Sequence, residues 1–130
     1  MNKMTFIVCE QVREEKKGSA SLIGVMPTNG EIIAREIPFI IPTLSVFICY
    51  SVEKQSALLN IAVTEPGGEI AARVRNKEIK VRNPNGRNYY YTTLSPLLIS
   101  KRGEYRISVT LEDQEEEISI VVASVEDNDG

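Results

Sequence analysis

Residues 101–123 read KRGEYRISVTLEDQEEEISIVVA. Tyr105, Ile107, Val109 and Leu111 alternate with Arg106, Ser108 and Thr110. After an acidic turn, Ile118, Ile120 and Val122 alternate with Ser119 and Val121. Side chains along a strand point to opposite faces with period two, so the stretch predicts a hairpin with one apolar face and one mostly polar face. A lone hairpin cannot keep such a face from water, and a second layer must cover it.

Working outward, the same signals recur. Residues 5–10 and 19–25 read as two strands of a hairpin, joined across the charged residues 13–18. Pro27 and Asn29-Gly30 break the chain. Residues 31–34 form a short strand, and Phe39-Ile40-Ile41 lies between Pro38 and Pro42. Proline cannot donate to a sheet ladder, so this piece is expected at an edge or crossing between layers. Residues 43–52 are the longest apolar strand, with Leu44, Val46, Ile48, Tyr50 and Val52 on one face and Phe47 and Cys49 on the other. Strands at 58–64 and 69–74 follow, and residues 78–81 return as a hairpin partner through Asn76-Lys77. Asn83-Pro84-Asn85-Gly86 is the strongest turn, and residues 89–94 are rich in β-forming residues.

An apolar helical period never persists. The best helical candidate, residues 53–58, is one turn long. The pattern predicts an all-β, single-domain antiparallel β-sandwich over residues 1–124, with eight or nine strands and an acidic tail at 125–130. A closed β-barrel is the alternative.

Composition narrows the chemistry. The chain has 130 residues and a formal net charge of −3, which as a whole favours neither nucleic acid nor acidic lipid. It contains no histidine, and so lacks the commonest general base and metal ligand. Cys9 and Cys49 lie in separate apolar runs; neither forms a zinc spacing. They are expected to be buried free thiols, with a disulfide between packed strands as the alternative. No phosphate loop or dinucleotide fingerprint is present. Only three aspartates occur, two of them in the tail, which argues against a loop calcium site. No cofactor, metal or catalytic residue is expected. The N-terminus lacks the apolar core of a signal peptide, so the expected location is the cytoplasm.

Charge is uneven. Arg73, Arg75, Lys77, Lys80, Arg82 and Arg87 stand against Glu78 alone, and they lead straight into Tyr89, Tyr90 and Tyr91. Beyond Arg106 every charged residue is acidic. Arginine and tyrosine are frequent interface anchors, and these nine residues are the candidate partner-binding set. The expected function is a non-enzymatic protein-binding module, self-associating or acting on another protein, for instance as an inhibitor of a host protein. The alternative is a nucleotide or single-stranded nucleic-acid binder, in which cations neutralise phosphate and tyrosines stack on bases.

At FIVCEQVREE, SLIGVMP and RGEYRISVTLEDQEEEISIVV the chain resembles a family of small uncharacterised bacterial or bacteriophage proteins. The resemblance implies a β-sandwich, with a G-x-Y hairpin of the kind found in immunoglobulin-like domains, and supplies no activity.

Overall fold

The computed structural model describes residues 3–16, 18–26, 30–94 and 96–124. In chain order the strands are β1 (Lys3–Cys9), β2 (Gln11–Glu14), β3 (Ala20–Ile23), β4 (Glu31–Ala34), β5 (Phe39–Ile41) and β6 (Ser45–Ser51). They continue as β7 (Ser56–Thr64), β8 (Ile70–Lys80), β9 (Asn88–Thr93), β10 (Leu97–Ile99), β11 (Gly103–Leu111) and β12 (Gln114–Ser124). No helix occurs among the described residues, so none there is long and apolar enough to cross a membrane. The expected acidic tail lies outside them.

Two sheets make the body. One has the order β4-β12-β11-β7-β8 and the other β1-β6-β9. Two-stranded ribbons, β2-β3 and β5-β10, complete the fold, and among the described residues no barrel closes. The chain is thus an all-β, sandwich-like fold. Strand pairing is antiparallel except between β4 and β12. The twelve strands among the described residues exceed the eight or nine expected. Part of the excess comes from three-residue pieces such as β5 and β10, too short to show an alternation.

The apolar sets read from alternation become the core. Val46, Ile48 and Tyr50 of β6 bury into one cluster with Leu59, Ile61 and Val63 of β7 and with Tyr105, Ile107, Val109 and Leu111 of β11. Leu44 and Val52 extend that row beyond both ends of β6. Each fully buried aliphatic side chain contributes about 1.5–3 kcal/mol. The C-terminal hairpin forms as its sequence dictates, Leu111 opposite Gln114 and Tyr105 opposite Ile120, with two residues in the turn. At its base the Tyr105 hydroxyl donates to the Lys101 carbonyl at 3.0 Å and accepts from the Lys101 N–H at 3.2 Å. This is the tyrosine corner that recurs in Greek-key sandwiches. Gly103, at φ 124°, passes so close to Pro66 that an added Cβ would lie 3.0 Å from its Cγ.

Three local expectations are corrected. The first hairpin is β2 with β3, Gln11 opposite Ile23, while most of the first predicted strand belongs to β1 and pairs with β6. The chain changes sheet at Glu10, whose N–H donates to the carbonyls of Ile23 and Gly24. Residues 69–74 and 78–81 are not two hairpin strands. Residues 70–80 form the single strand β8, which continues through Asn76 as a bulge against β7. Finally, Cys9 and Cys49 are both free, but only Cys9 is buried. Cys49 faces outward opposite Thr5 and Tyr89, the side of β6 away from the core.

Candidate partner-binding site

β8 is the last strand of the five-stranded sheet and β9 the last of the three-stranded sheet. Among the described residues each has a ladder partner on one side only. Between them runs a groove of about 790 Å³, lined by Lys77, Lys80, Arg82, Arg87, Tyr89, Tyr90 and Tyr91. Seven of the nine residues singled out in the sequence therefore meet around one hollow. Glu14, Gly18, Tyr50, Glu78, Ile79, Asn83 and Asn88 complete its wall.

Arg73 and Arg75 do not join them. They line a separate hollow of about 210 Å³ with Asn60, Ser108 and Thr110, on the outer face of the five-stranded sheet. The bulge parts Lys77 from them, whereas Lys80, opposite Ser56, keeps their face and lies farther along the strand. Arg73 stands opposite Ala62, Val74 opposite buried Ile61, and Lys77 opposite buried Leu59. The extra residue, Asn76, shifts the alternation by one, so Lys77 leaves the face that Arg73 and Arg75 occupy. Asn76 has φ 48°, a left-handed conformation that asparagine tolerates.

The end of the groove is a rigid turn. The Gly86 N–H donates to the Asn83 carbonyl at 2.8 Å, and Asn85 has φ 62°. Proline second and a left-handed residue third make this a type II turn. The Asn88 amide clasps it: its oxygen accepts from the Asn83 N–H at 2.9 Å, and its nitrogen donates to the carbonyls of Asn83 at 3.0 Å and Gly86 at 3.3 Å. The Asn85 N–H donates to the Val52 carbonyl at 2.9 Å and ties the turn to the end of β6. Arg82 and Arg87 flank this clasp, so their backbones are fixed while their side chains stay exposed.

Among the described residues none of the six cations makes an ion pair. The tyrosines are more committed. Tyr89 and Tyr91 point outward from the three-stranded sheet, opposite Cys49 and Phe47, while Tyr90 stands opposite buried Ile48. The Tyr89 ring stacks on Phe47, with centroids 5.4 Å apart. Tyr90 packs half-buried against the core. Partial loss of water raises the Tyr91 pKa, and the Glu14 carboxylate beside its hydroxyl raises it further. Glu14 comes from the β2-β3 ribbon, a neighbour that no local sequence pattern announces. Asn88 also escaped notice, although an asparagine two residues beyond an Asn-Pro-Asn-Gly turn is well placed to cap it. Among the described residues, no three His, Cys, Asp or Glu side chains gather as metal ligands would.

The family model for the family of unknown function DUF6941 matches residues 4–123, nearly the whole chain. The chain belongs to that family. The match spans the sandwich from β1 to β12, so both edge strands and the groove lie within the family's domain. No curated protein matches the chain.

Proposed function

We propose that this DUF6941 chain is a non-enzymatic binding module whose groove between β8 and β9 takes an extended, acidic segment of a partner protein. One observation carries the reading: Lys77, Lys80, Arg82 and Arg87, all without ion pairs among the described residues, line a groove bordered by two free strand edges. A free edge offers backbone N–H and C=O groups to an added strand, and main-chain pairing is the usual source of affinity in this mode of recognition. The cations then select carboxylates along the peptide. A bacterial or bacteriophage source, an immunoglobulin-like ancestry and a cytoplasmic setting belong to the same proposal. The family resemblance supports the first two, and two free thiols accord with the third.

The nucleotide or single-strand reading is weaker on geometry. It needs open aromatic faces, whereas Phe47 already covers one face of Tyr89 and Tyr90 is packed against the core.

The test uses a fluorescein-labelled peptide of alternating glutamate and valine, with an oligothymidine strand as competitor. Anisotropy should show saturable binding of the peptide. The double variant Arg82→Glu, Arg87→Glu should bind tenfold or more weakly, about 1.4 kcal/mol. Its melting temperature should hardly change, because both residues are exposed. Absence of peptide binding by the parent, or displacement of peptide by oligothymidine at lower concentration than by unlabelled peptide, would overturn the proposal.

A further inference from the structure

The opposite side of the sandwich carries the complementary charge. β4 pairs with β12 only over Val121–Ser124 in register, so among the described residues the stretch 114–120 of β12 has β11 as its one ladder partner, with β1 packed nearby but not hydrogen-bonded to it as a strand. That stretch holds Glu115, Glu116 and Glu117, all exposed. Glu117 lies 3.7 Å from Arg106, whereas Glu115 and Glu116 have no ion pair among the described residues. At the far side of the same sheet, β8 presents Arg73, Arg75, Lys77 and Lys80 on a free edge, with Glu78 as its one acid. One five-stranded sheet thus ends in an acidic strand on one side and a basic strand on the other.

We infer that the partner segment is the acidic β12 edge of a second copy of this chain, docked head to tail on the basic β8 edge of the first. The inference rests on the proposed function, because it fills the same basic edge with a named occupant. Charge decides the mode of association. Two β8 edges brought together across a twofold axis would set cations against cations, and two β12 edges would set carboxylates against carboxylates. Like charges directly opposite on paired strands are destabilising. Only the β12-to-β8 contact brings opposite signs together. Such a contact uses two different surfaces of each copy, so it repeats and builds a ring or a filament rather than a closed dimer. Free edges are ordinarily blunted by charge to prevent pairing. Here the signs differ at the two ends, so the charge that blocks like edges admits the unlike one.

Sedimentation velocity over a concentration series tests this with the intact chain. At about 50 mM salt the parent should associate beyond the dimer, and at about 0.5 M salt it should dissociate, since exposed charges are then screened within a few ångströms. The variants Lys77→Glu, Lys80→Glu and Glu115→Lys, Glu116→Lys should each be monomeric, because each reverses the net sign of one edge and so gives both edges the same net sign. Circular dichroism checks that both remain β-folded. Mixing them in equal amounts should restore association, as every edge then finds its opposite. A parent that stays monomeric up to about 1 mM, the weak end of specific affinity, would overturn the inference. So would association that strengthens with salt, or variants that associate like the parent. If the parent is monomeric yet still binds the glutamate-valine peptide, only the self-partner fails and the groove reading stands.

Discussion

The side-chain oxygen of Asn60 accepts a hydrogen bond from the backbone N–H of Asn76 at 2.9 Å. A bulge leaves one residue without a ladder partner, and here a neighbouring side chain supplies it. That bond pins the point at which Arg75 and Lys77 part onto different faces. Asn60→Ala should lower stability by about 1 kcal/mol, the usual net worth of such a bond. Asn76→Gly should change it by only a few tenths of a kcal/mol, since glycine adopts positive φ without penalty. Urea midpoints measure both. An Asn60→Ala protein as stable as the parent would mean that water serves the Asn76 N–H equally well.

The tyrosine corner yields a larger effect. Tyr105→Phe removes a hydroxyl that both donates to and accepts from Lys101, and it leaves two backbone groups to find other partners. The expected loss is about 1–3 kcal/mol. Tyr50→Phe is the comparison, because its hydroxyl makes one bond, to the Lys80 carbonyl at 3.2 Å. It should cost less. Equal losses would show that the two bonds of the corner are worth no more than the single bond of Tyr50.

These cases show what the sequence could and could not carry. Alternation located the buried row Val46, Ile48, Tyr50 and the C-terminal hairpin, because burial of one face leaves a period-two record in the residues themselves. It misjudged Asn76-Lys77, because Asn in a turn and Asn in a bulge share the same left-handed backbone and the same local signature. Charge and the aromatic run singled out seven residues that line one groove. The same run includes Arg73 and Arg75, which line another hollow, because neither distance along β8 nor the slip in register at Asn76 shows in the composition. The pairing of β4 with β12 and the approach of Glu14 to Tyr91 are long-range contacts, and no local pattern encodes them.

The two thiols should separate cleanly by reactivity. Cys9 is buried, and loss of solvent raises its pKa, partly offset by the Gln11 backbone. Cys49 is exposed, although partial loss of solvent raises its pKa also. The thiolate is the reactive form, so both should be sluggish and accessibility should decide the order. A disulfide-exchange reagent should label one thiol per folded chain and the second only in denaturant. Cys49→Ala should abolish the first phase. Two labels at equal rates would show that the region around Cys9 opens readily.

Alkaline pH should weaken the fold. Burial raises the pKa of Cys9 and of Tyr50, the latter opposed by the nearby Arg82 charge. The folded chain then holds protons that the unfolded chain has released, so stability falls as pH rises. The contribution is intact below the unfolded values, about 8.5 for Cys and about 10 for Tyr, and is lost as pH climbs through the folded ones. Lys101, whose pKa the Glu65 carboxylate raises, changes stability in the same direction. Urea midpoints should decline steadily above the ordinary thiol value, and Cys9→Ala should flatten the first part of the decline. A midpoint constant into that range would contradict the burial of both groups.

The last prediction separates charge from preorganisation at the groove. Asn88 carries no charge and holds the turn through three hydrogen bonds to Asn83 and Gly86. Asn88→Ala keeps Arg82 and Arg87 but frees the backbone between them. Stability should drop by about 1–2 kcal/mol, because two acceptors and one donor lose a partner in an exposed setting. Binding of the glutamate-valine peptide should weaken several-fold, since a loosened turn must be ordered again on binding, at about 0.5–1.5 kcal/mol for each long side chain fixed. The salt dependence of binding should stay as in the parent, because the number of charges is unchanged. Arg82→Glu, Arg87→Glu should do the reverse, sparing stability and flattening the salt dependence. If Asn88→Ala lowers stability yet leaves peptide affinity intact, the turn is only a structural corner, and the cations act as mobile charges rather than as a shaped site.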